Sequence, residues 1–201
     1  MRQPRHPLPP DLDEAEKAEL KTAQQFSFDT DAFGKHIDEG GGILNIVIRA
    51  HLYLEHVLIT LLRETFQHPD AIDLRRLSFP TKLDLCIALG LVSNELRQPI
   101  SKINEMRNQV AHKLDFELTG EAKNALWLSI PMFLRRELLA WLKSGDGETD
   151  KVEFNSMFRV LVFWLDVWRQ KHLAHRIELK YAQRYLERTL GETRKRRKTG
   201  K

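Results

Sequence analysis

The chain holds a single cysteine, Cys86. An internal disulfide is therefore excluded, and a reducing compartment fits. Cys86 sits in the apolar run KLDLCIALGL, which argues for a buried core thiol rather than a nucleophile. Long hydrophobic runs are also missing. No stretch reaches the roughly 18 uncharged apolar residues needed to span a bilayer. The strongest candidate, Met157 to Trp168, is interrupted by Arg159 and Asp166. The N-terminal MRQPRHPLPPDLDEAEK carries no apolar h-region, so no signal peptide is expected. These absences predict a cytoplasmic protein with no membrane partner. There is no strand-turn-strand alternation, no internal repeat and no glycine-rich nucleotide fingerprint. The triplet Gly40, Gly41 and Gly42 is not followed by Lys-Ser/Thr and no strand precedes it, so it reads as a hinge or helix stop rather than a phosphate loop.

What remains is ordinary for a soluble globular chain: 42% hydrophobic and 30% charged residues over 201 positions. The formal net charge of +4 is unevenly spread. From Gly191 to Lys201 there are six basic residues and one acid, Glu192, so the tail accounts for the basic character and the body is close to neutral. Arg194, Lys195, Arg196, Arg197 and Lys198 are the candidate nucleic-acid contacts. They have no interleaved aromatics for base readout, so an accessory grip on RNA phosphates is their expected use.

The pattern along the chain is helical throughout. Four prolines in the first ten residues predict an extended arm. Asp11 or Asp13 can cap a short helix to about Gln25, and a second runs from Asp31 to Asp38. A long helix from Ile43 to about Phe66 follows, with Leu44, Val47, Ile48, Leu52, Leu58, Leu61 and Leu62 as its expected buried face. Ser78, Pro80 and Gly90 bracket another helix. Ser93 caps a short turn, and Pro99 opens a helix to His112. Residues 113–119 read as irregular or briefly extended. Two more helices span Glu121 to Leu128 and Pro131 to near Gly145, with SGDGETD as a loop. From Lys151 no Gly or Pro interrupts the pattern until Gly191, about 40 residues or ~60 Å of helix if unbroken, and a break near His172 is expected. The class is all-α, a helical bundle with an N-terminal helical extension and a long C-terminal helix. The domains expected are an arm with short helices over 1–39, a helical domain over 40–190 and a basic disordered tail over 191–201.

The stretch that carries chemistry is INEMRNQVAH, Ile103 to His112. Ile103, Met106 and Val110 form one apolar stripe. To it are added Arg107, whose planar fork stays charged at all usable pH values, His112, which moves protons near neutrality, and Asn108, which can orient either. Those three side chains suffice for metal-free RNA cleavage with the substrate's own 2′-hydroxyl as nucleophile. No cofactor is needed. Arg107 and His112 are five residues apart, so on a straight helix they point roughly 140° apart. Either the helix ends or bends near Ala111, or two copies of the helix build the site about a two-fold axis.

Spacing alone discriminates poorly, since Arg63 and His68 repeat it. His172, His175 and Glu178 recur every three residues but share a face only loosely, so a solvated surface is expected there rather than a metal site. His51 and Glu55, four apart, are neighbours on one face, either as a surface pair or aimed at the cleft of Arg107. Trp164 and Trp168, four apart beside Phe158, Leu161 and Leu165, read as core or oligomer contact, as do Trp127 and Trp141.

A long helix with an internal glutamate (Glu55), then FPTKLDLCIALGLV, a short turn and INEMRNQVAH resembles the HEPN superfamily, whose signature is Arg, four to six residues, then His. The likeness covers roughly residues 40–140. The run TKLDLCIALGLVSNEL is also similar to the mannitol-operon repressor group of HEPN-like proteins. The resemblance implies a HEPN-like antiparallel helical bundle that dimerises through the motif helix. It implies a metal-independent endoribonuclease of a toxin–antitoxin or defence type, with RNA as substrate and an antitoxin or regulatory protein as a further partner. By that likeness His112 is the general acid/base, Arg107 stabilises the phosphorane, Asn108 orients His112 or the phosphate, and Glu55 completes the set. The products are a 2′,3′-cyclic phosphate and a 5′-hydroxyl. The alternative keeps the fold without the chemistry, as a dimeric adaptor or transcriptional regulator in which Arg107 pairs with Glu105, Asp115 or another acid and His112 caps its helix.

Overall fold

A computed structural model describes residues 12–38, 42–112, 117–143 and 153–199, with the side chains of Asp38, Lys143 and 191–199 left undescribed. Among these residues the chain is all-α, with no strand. The helices are α1 (Glu14–Ala23), α2 (Thr30–Asp38), α3 (Ile43–Thr65), α4 (Phe79–Ala88), α5 (Arg97–His112), α6 (Gly120–Ser129), α7 (Met132–Lys143) and α8 (Phe154–Thr199). Two short 3-10 turns, Pro69–Ala71 and Asn94–Leu96, precede α4 and α5.

Local chemistry sets several of these boundaries. Asp13 caps α1 and exchanges hydrogen bonds with Glu16 in a capping box. Ser78 caps α4 by accepting from the Thr81 N–H, with Pro80 in the first turn. At the other end Gly90 adopts φ +70°. There the Leu91 N–H reaches Cys86 O at 2.8 Å and the Gly90 N–H reaches Ile87 O at 2.9 Å. That is a Schellman stop, and it needs the left-handed conformation that glycine adopts without a Cβ clash. Pro99, expected as the first residue of α5, lies within its first turn instead, because Arg97 already continues the Asn94–Leu96 turn. The break expected near His172 is absent. α8 stays helical through that point, as a run without Gly or Pro permits. Gly40 and Gly41 lie outside the described residues, as do positions 113–116 and the SGDGETD loop.

The contacts separate into two compact units. The larger, Phe26–Arg169, is built around α3, against which α2, α4 and α5 pack. Its core includes Val47, Leu54, Leu58 and Leu62 of α3, Leu83 and Cys86 of α4, Ile100 and Ile103 of α5, Leu134 of α7, and Phe158, Val162 and Leu165 of α8. Cys86 is fully buried, and burial pushes its thiol pKa up to about 12, which removes the thiolate that reactivity requires. Trp127, Trp164 and Trp168 pack against this core, whereas Trp141 is exposed. Two polar residues in the first half of α8 belong to one ion cluster. Arg169 donates to Asp166 and to Glu64, both at 2.8 Å, and Ser27 Oγ donates to Asp166 at 2.6 Å. Asp166 and Arg169 are both buried, and each supplies the counter-charge the other requires.

The smaller unit joins α1 to the second half of α8. Leu20, Ala23, Ile177 and Tyr181 form its core. Arg184 pairs with Glu16 at 2.8 Å, and the Tyr181 hydroxyl donates to Glu19.

The buried face of α3 differs from the one expected. Leu44, Ile48 and Leu52 are exposed, Leu52 at 55%, whereas Val47, Leu58, Leu61 and Leu62 are buried as expected. At 100° per residue, positions 44, 48 and 52 form their own stripe, rotated about 130° from the centre of the face made by 47, 50, 54, 57, 58 and 61. Among the described residues α3, rather than Met157 to Trp168, is the one helix long and apolar enough to cross a membrane. Its apolar face is the core of the larger unit. Replacing Leu58 with Ala is expected to cost about 2–5 kcal/mol, and replacing Leu52 with Ala less than about 0.5 kcal/mol. Urea denaturation of both variants measures this, and equal losses would overturn the assignment of faces.

Candidate functional site

Two apolar stripes position the site. On α5, Ile100, Ile103 and Met106 are buried against the core, which turns Asn104 toward α3 and leaves Arg107, Asn108 and His112 in solvent. On α3, His51 and Glu55 lie at the edge of the buried face, one turn apart. The helices meet there. His51 Nε2 and Asn104 Oδ1 are 3.0 Å apart. The amide oxygen can only accept, so the imidazole proton is on Nε2. The His51 ring lies on Phe79 of α4 with centroids 4.3 Å apart.

Beside this pair, Lys82 of α4 donates to Glu55 Oε1 at 2.6 Å. The lysine is almost wholly buried, at 1% exposure, while Glu55 keeps 27%. A buried ammonium without a counter-ion is strongly unfavourable, and deleting one partner of such a pair typically costs about 3–5 kcal/mol. Glu55 thus serves first as the partner of Lys82, with its carboxylate still reaching solvent. Sequence reading missed Lys82 and Asn104. The signal for Lys82 was present: with Phe79, Leu83 and Cys86 it lies on the buried stripe of α4, and a charge at such a position requires a partner.

The reactive trio is less connected. The Arg107 guanidinium donates through Nη1 to Asn108 Oδ1 at 3.2 Å, so Asn108 orients Arg107. Among the described residues no carboxylate pairs with Arg107; Glu105 does not, and Asp115 lies outside them. α5 remains helical through His112, its last residue. The helix does not bend at Ala111, so Arg107 and His112 stay on different sides of it, roughly 140° apart. One copy of α5 does not bring guanidinium and imidazole together. The tail expected to be disordered is instead helical as far as Thr199, so Arg194, Lys195, Arg196, Arg197 and Lys198 fall on the last turns of α8, with side chains outside the described residues. No three His, Cys, Asp or Glu among the described residues group as metal ligands, and His172, His175 and Glu178 are included in that statement.

No family model matches this chain, and neither a curated protein nor a solved structure does. Function is therefore inferred from the residues and their placement.

Electrostatics ties the two groups of side chains together. Burial lowers the His51 pKa below the ordinary histidine value of 6.5, the Asn104 hydrogen bond and Glu55 oppose that shift, and Arg107 and Lys82 add to it. The neutral ring is thus favoured in the folded chain. As pH falls below about 6.5 the unfolded ring takes up a proton before the folded one, so stability is present at neutral pH and is lost as pH drops. The melting temperature is expected to fall between pH 7.5 and pH 5, with a shallower slope in His51→Gln, whose amide can still reach Asn104. His172, also lowered by burial and by His175, leaves a residual slope. Identical slopes in the two proteins, followed by circular dichroism, would show that His51 does not titrate in this way.

Proposed function

We infer that this protein is a HEPN-type, metal-independent endoribonuclease, cytoplasmic, acting as a homodimer through α5. The observation that carries this reading is the solvent exposure of Arg107, Asn108 and His112 on the last two turns of α5, with Arg107 outside any ion pair among the described residues. A structural arginine is normally tied to a carboxylate. Among the described residues this one is held by its neighbouring amide alone, and its fork is open to a phosphodiester.

Two α5 helices crossing about a two-fold axis place two guanidinium and two imidazole groups around one cleft. There His112 of one copy takes the proton from the 2′-hydroxyl as that oxygen attacks phosphorus. The bond to the 5′-oxygen breaks, and the second imidazole, protonated, gives its proton to the departing oxygen. Arg107 stabilises the charge on the phosphorane, help of the order of several kcal/mol. The products are a 2′,3′-cyclic phosphate and a 5′-hydroxyl. Glu55 and Lys82 act as positioning residues, fixing α4 against α3 beneath Asn104, one turn from Arg107. The basic residues Arg194, Lys195, Arg196, Arg197 and Lys198 hold RNA phosphates without reading sequence. In a toxin setting an antitoxin or regulatory protein would cover the α5 cleft.

The continuous course of α5 also favours one competing reading. With Arg107 and His112 on different sides of the helix, a dimer joined elsewhere would be a non-catalytic adaptor or transcriptional regulator. Incubation of the purified protein with RNA in EDTA separates the two. The wild-type chain is expected to cleave and to leave cyclic phosphate ends, with Arg107→Ala and His112→Ala each slower by roughly 100-fold or more. Mixing the two inactive variants is expected to restore a small part of the activity, because a mixed dimer regains one guanidinium and one imidazole in the shared cleft, with water protonating the departing oxygen in place of the second imidazole. Cleavage equal in all three proteins, or absent in all, would reject the nuclease.

A further inference from the structure

A second polar site lies on another side of α3, independent of the Arg107 cluster. Arg49, Leu52, Tyr53 and His56 project about 130° around the helix from His51 and Glu55. With His36 of α2 and Phe28 they wall a pocket of ≈ 510 Å³, within the size range of small-ligand sites.

The hydrogen-bond groups on the walls of this pocket are mostly donors. His36 Nδ1 and the Tyr53 hydroxyl are 2.9 Å apart. The neutral pair holds two protons and needs only one for this bond. If the tyrosine donates, His36 Nε2–H is left over; if the histidine donates, the tyrosine O–H is left over. Arg49 gives one N–H, at Nη1, to the His36 carbonyl at 3.1 Å, and has four more. No carboxylate among the described residues pairs with Arg49. The nearby Asp29 is committed elsewhere, its Oδ1 accepting the Asp31 and Ala32 N–H groups at 2.9 Å where α2 begins. His56 donates from Nε2 to the Ser27 carbonyl at 2.8 Å, which fixes its ring at the pocket edge. The pocket thus presents a half-buried guanidinium and a spare donor from the His36–Tyr53 pair, next to a second imidazole, with no acceptor of matching charge. The larger cavity of ≈ 750 Å³ does not share this bias, since Asp31 and Glu137 offset Lys35 and Arg159 on its walls.

We propose that this pocket binds a phosphate group, gripped by the Arg49 fork and the spare His36–Tyr53 donor, with Phe28 and Leu52 covering the organic part of a phosphoester. The group can be free inorganic phosphate or the 5′-phosphate of an oligonucleotide. The chemistry is the same, and titration tells them apart.

Isothermal titration of the full chain carrying Arg107→Ala, which removes the guanidinium of the α5 cluster, with sodium phosphate is expected to show saturable binding that sodium acetate does not match. Adding Arg49→Gln is expected to weaken it roughly tenfold or more. Arg49→Lys, which keeps the charge beside the His36 carbonyl but loses the fork, tests the same grip if the glutamine variant does not fold, and is expected to weaken binding as well. A 2′-O-methyl oligonucleotide with a 5′-phosphate that binds better than its 5′-hydroxyl counterpart assigns the site to RNA ends. Equal binding of the two oligonucleotides, with phosphate still bound, assigns it to a free phosphate. Acetate binding as tightly as phosphate, or phosphate binding unchanged in a folded Arg49→Gln or Arg49→Lys protein, overturns the proposal.

Discussion

Burial of one face of α3 is the constraint on which the larger unit depends. Val47, Ala50, Leu54, Val57, Leu58, Leu61 and Leu62 are removed from water by neighbours on α2, α4 and α5. At about 25 cal/mol per Å² of apolar surface, burial of this kind is what offsets the entropy of ordering the chain. Because the apolar face is fixed, every other position on α3 is fixed with it. Glu55 and His51 fall at one edge of that face. Arg49 and His56 fall on the far side of the helix, Tyr53 packs partly against the core, and Leu44, Ile48 and Leu52 are left in solvent. A single rotational setting therefore decides which polar groups meet which neighbour.

Charges inside the larger unit are handled by local pairing. Lys82 meets Glu55 across α4 and α3, and Asp166 meets Arg169 on α8 with Glu64 of α3 alongside. Such pairs are weak sources of stability, because desolvation cancels much of the Coulomb gain, but they tolerate few alternative arrangements. Each pins the rotation of a helix against α3. The Lys82–Glu55 pair sits next to His51 and Asn104, so the last turns of α5, with Arg107 and Asn108, rest on a floor that is packed and hydrogen-bonded at its polar contacts. That floor suits a site in which a guanidinium must be held still while its reacting partner comes from elsewhere.

The geometry of α5 constrains what the trio can do. An unbroken helix cannot converge side chains five residues apart, and no packing of a single chain changes that. The chemistry proposed for Arg107 and His112 thus rests on symmetry, which supplies from a second copy what one helix cannot supply from its own surface. Asn108 and His112, four apart, share a face of α5, yet the Asn108 amide oxygen accepts from the adjacent Arg107 guanidinium.

The all-α class, the limits of most helices, the Ser78 cap, the Gly90 stop, the buried Cys86 and the placement of the trio on α5 were determined by the sequence itself. Each follows from local periodicity, backbone chemistry or the spacing of apolar residues along one helix. The partition of α3 into buried and exposed leucines was not legible, because all seven expected positions are apolar and only the neighbours decide which stripe they cover. Nor were the partners of Lys82, Arg169 and Asn104, which include residues 27, 105 and 53 positions away in the chain and meet only when the helices pack. Tertiary structure also made Glu55, expected as a surface pair with His51 or a group aimed at the Arg107 cleft, the counter-charge of a buried ammonium. The physical reason is the same in every case: helix formation is specified by residues three and four apart, whereas the identity of a helix's neighbours depends on how its apolar surface is buried against others.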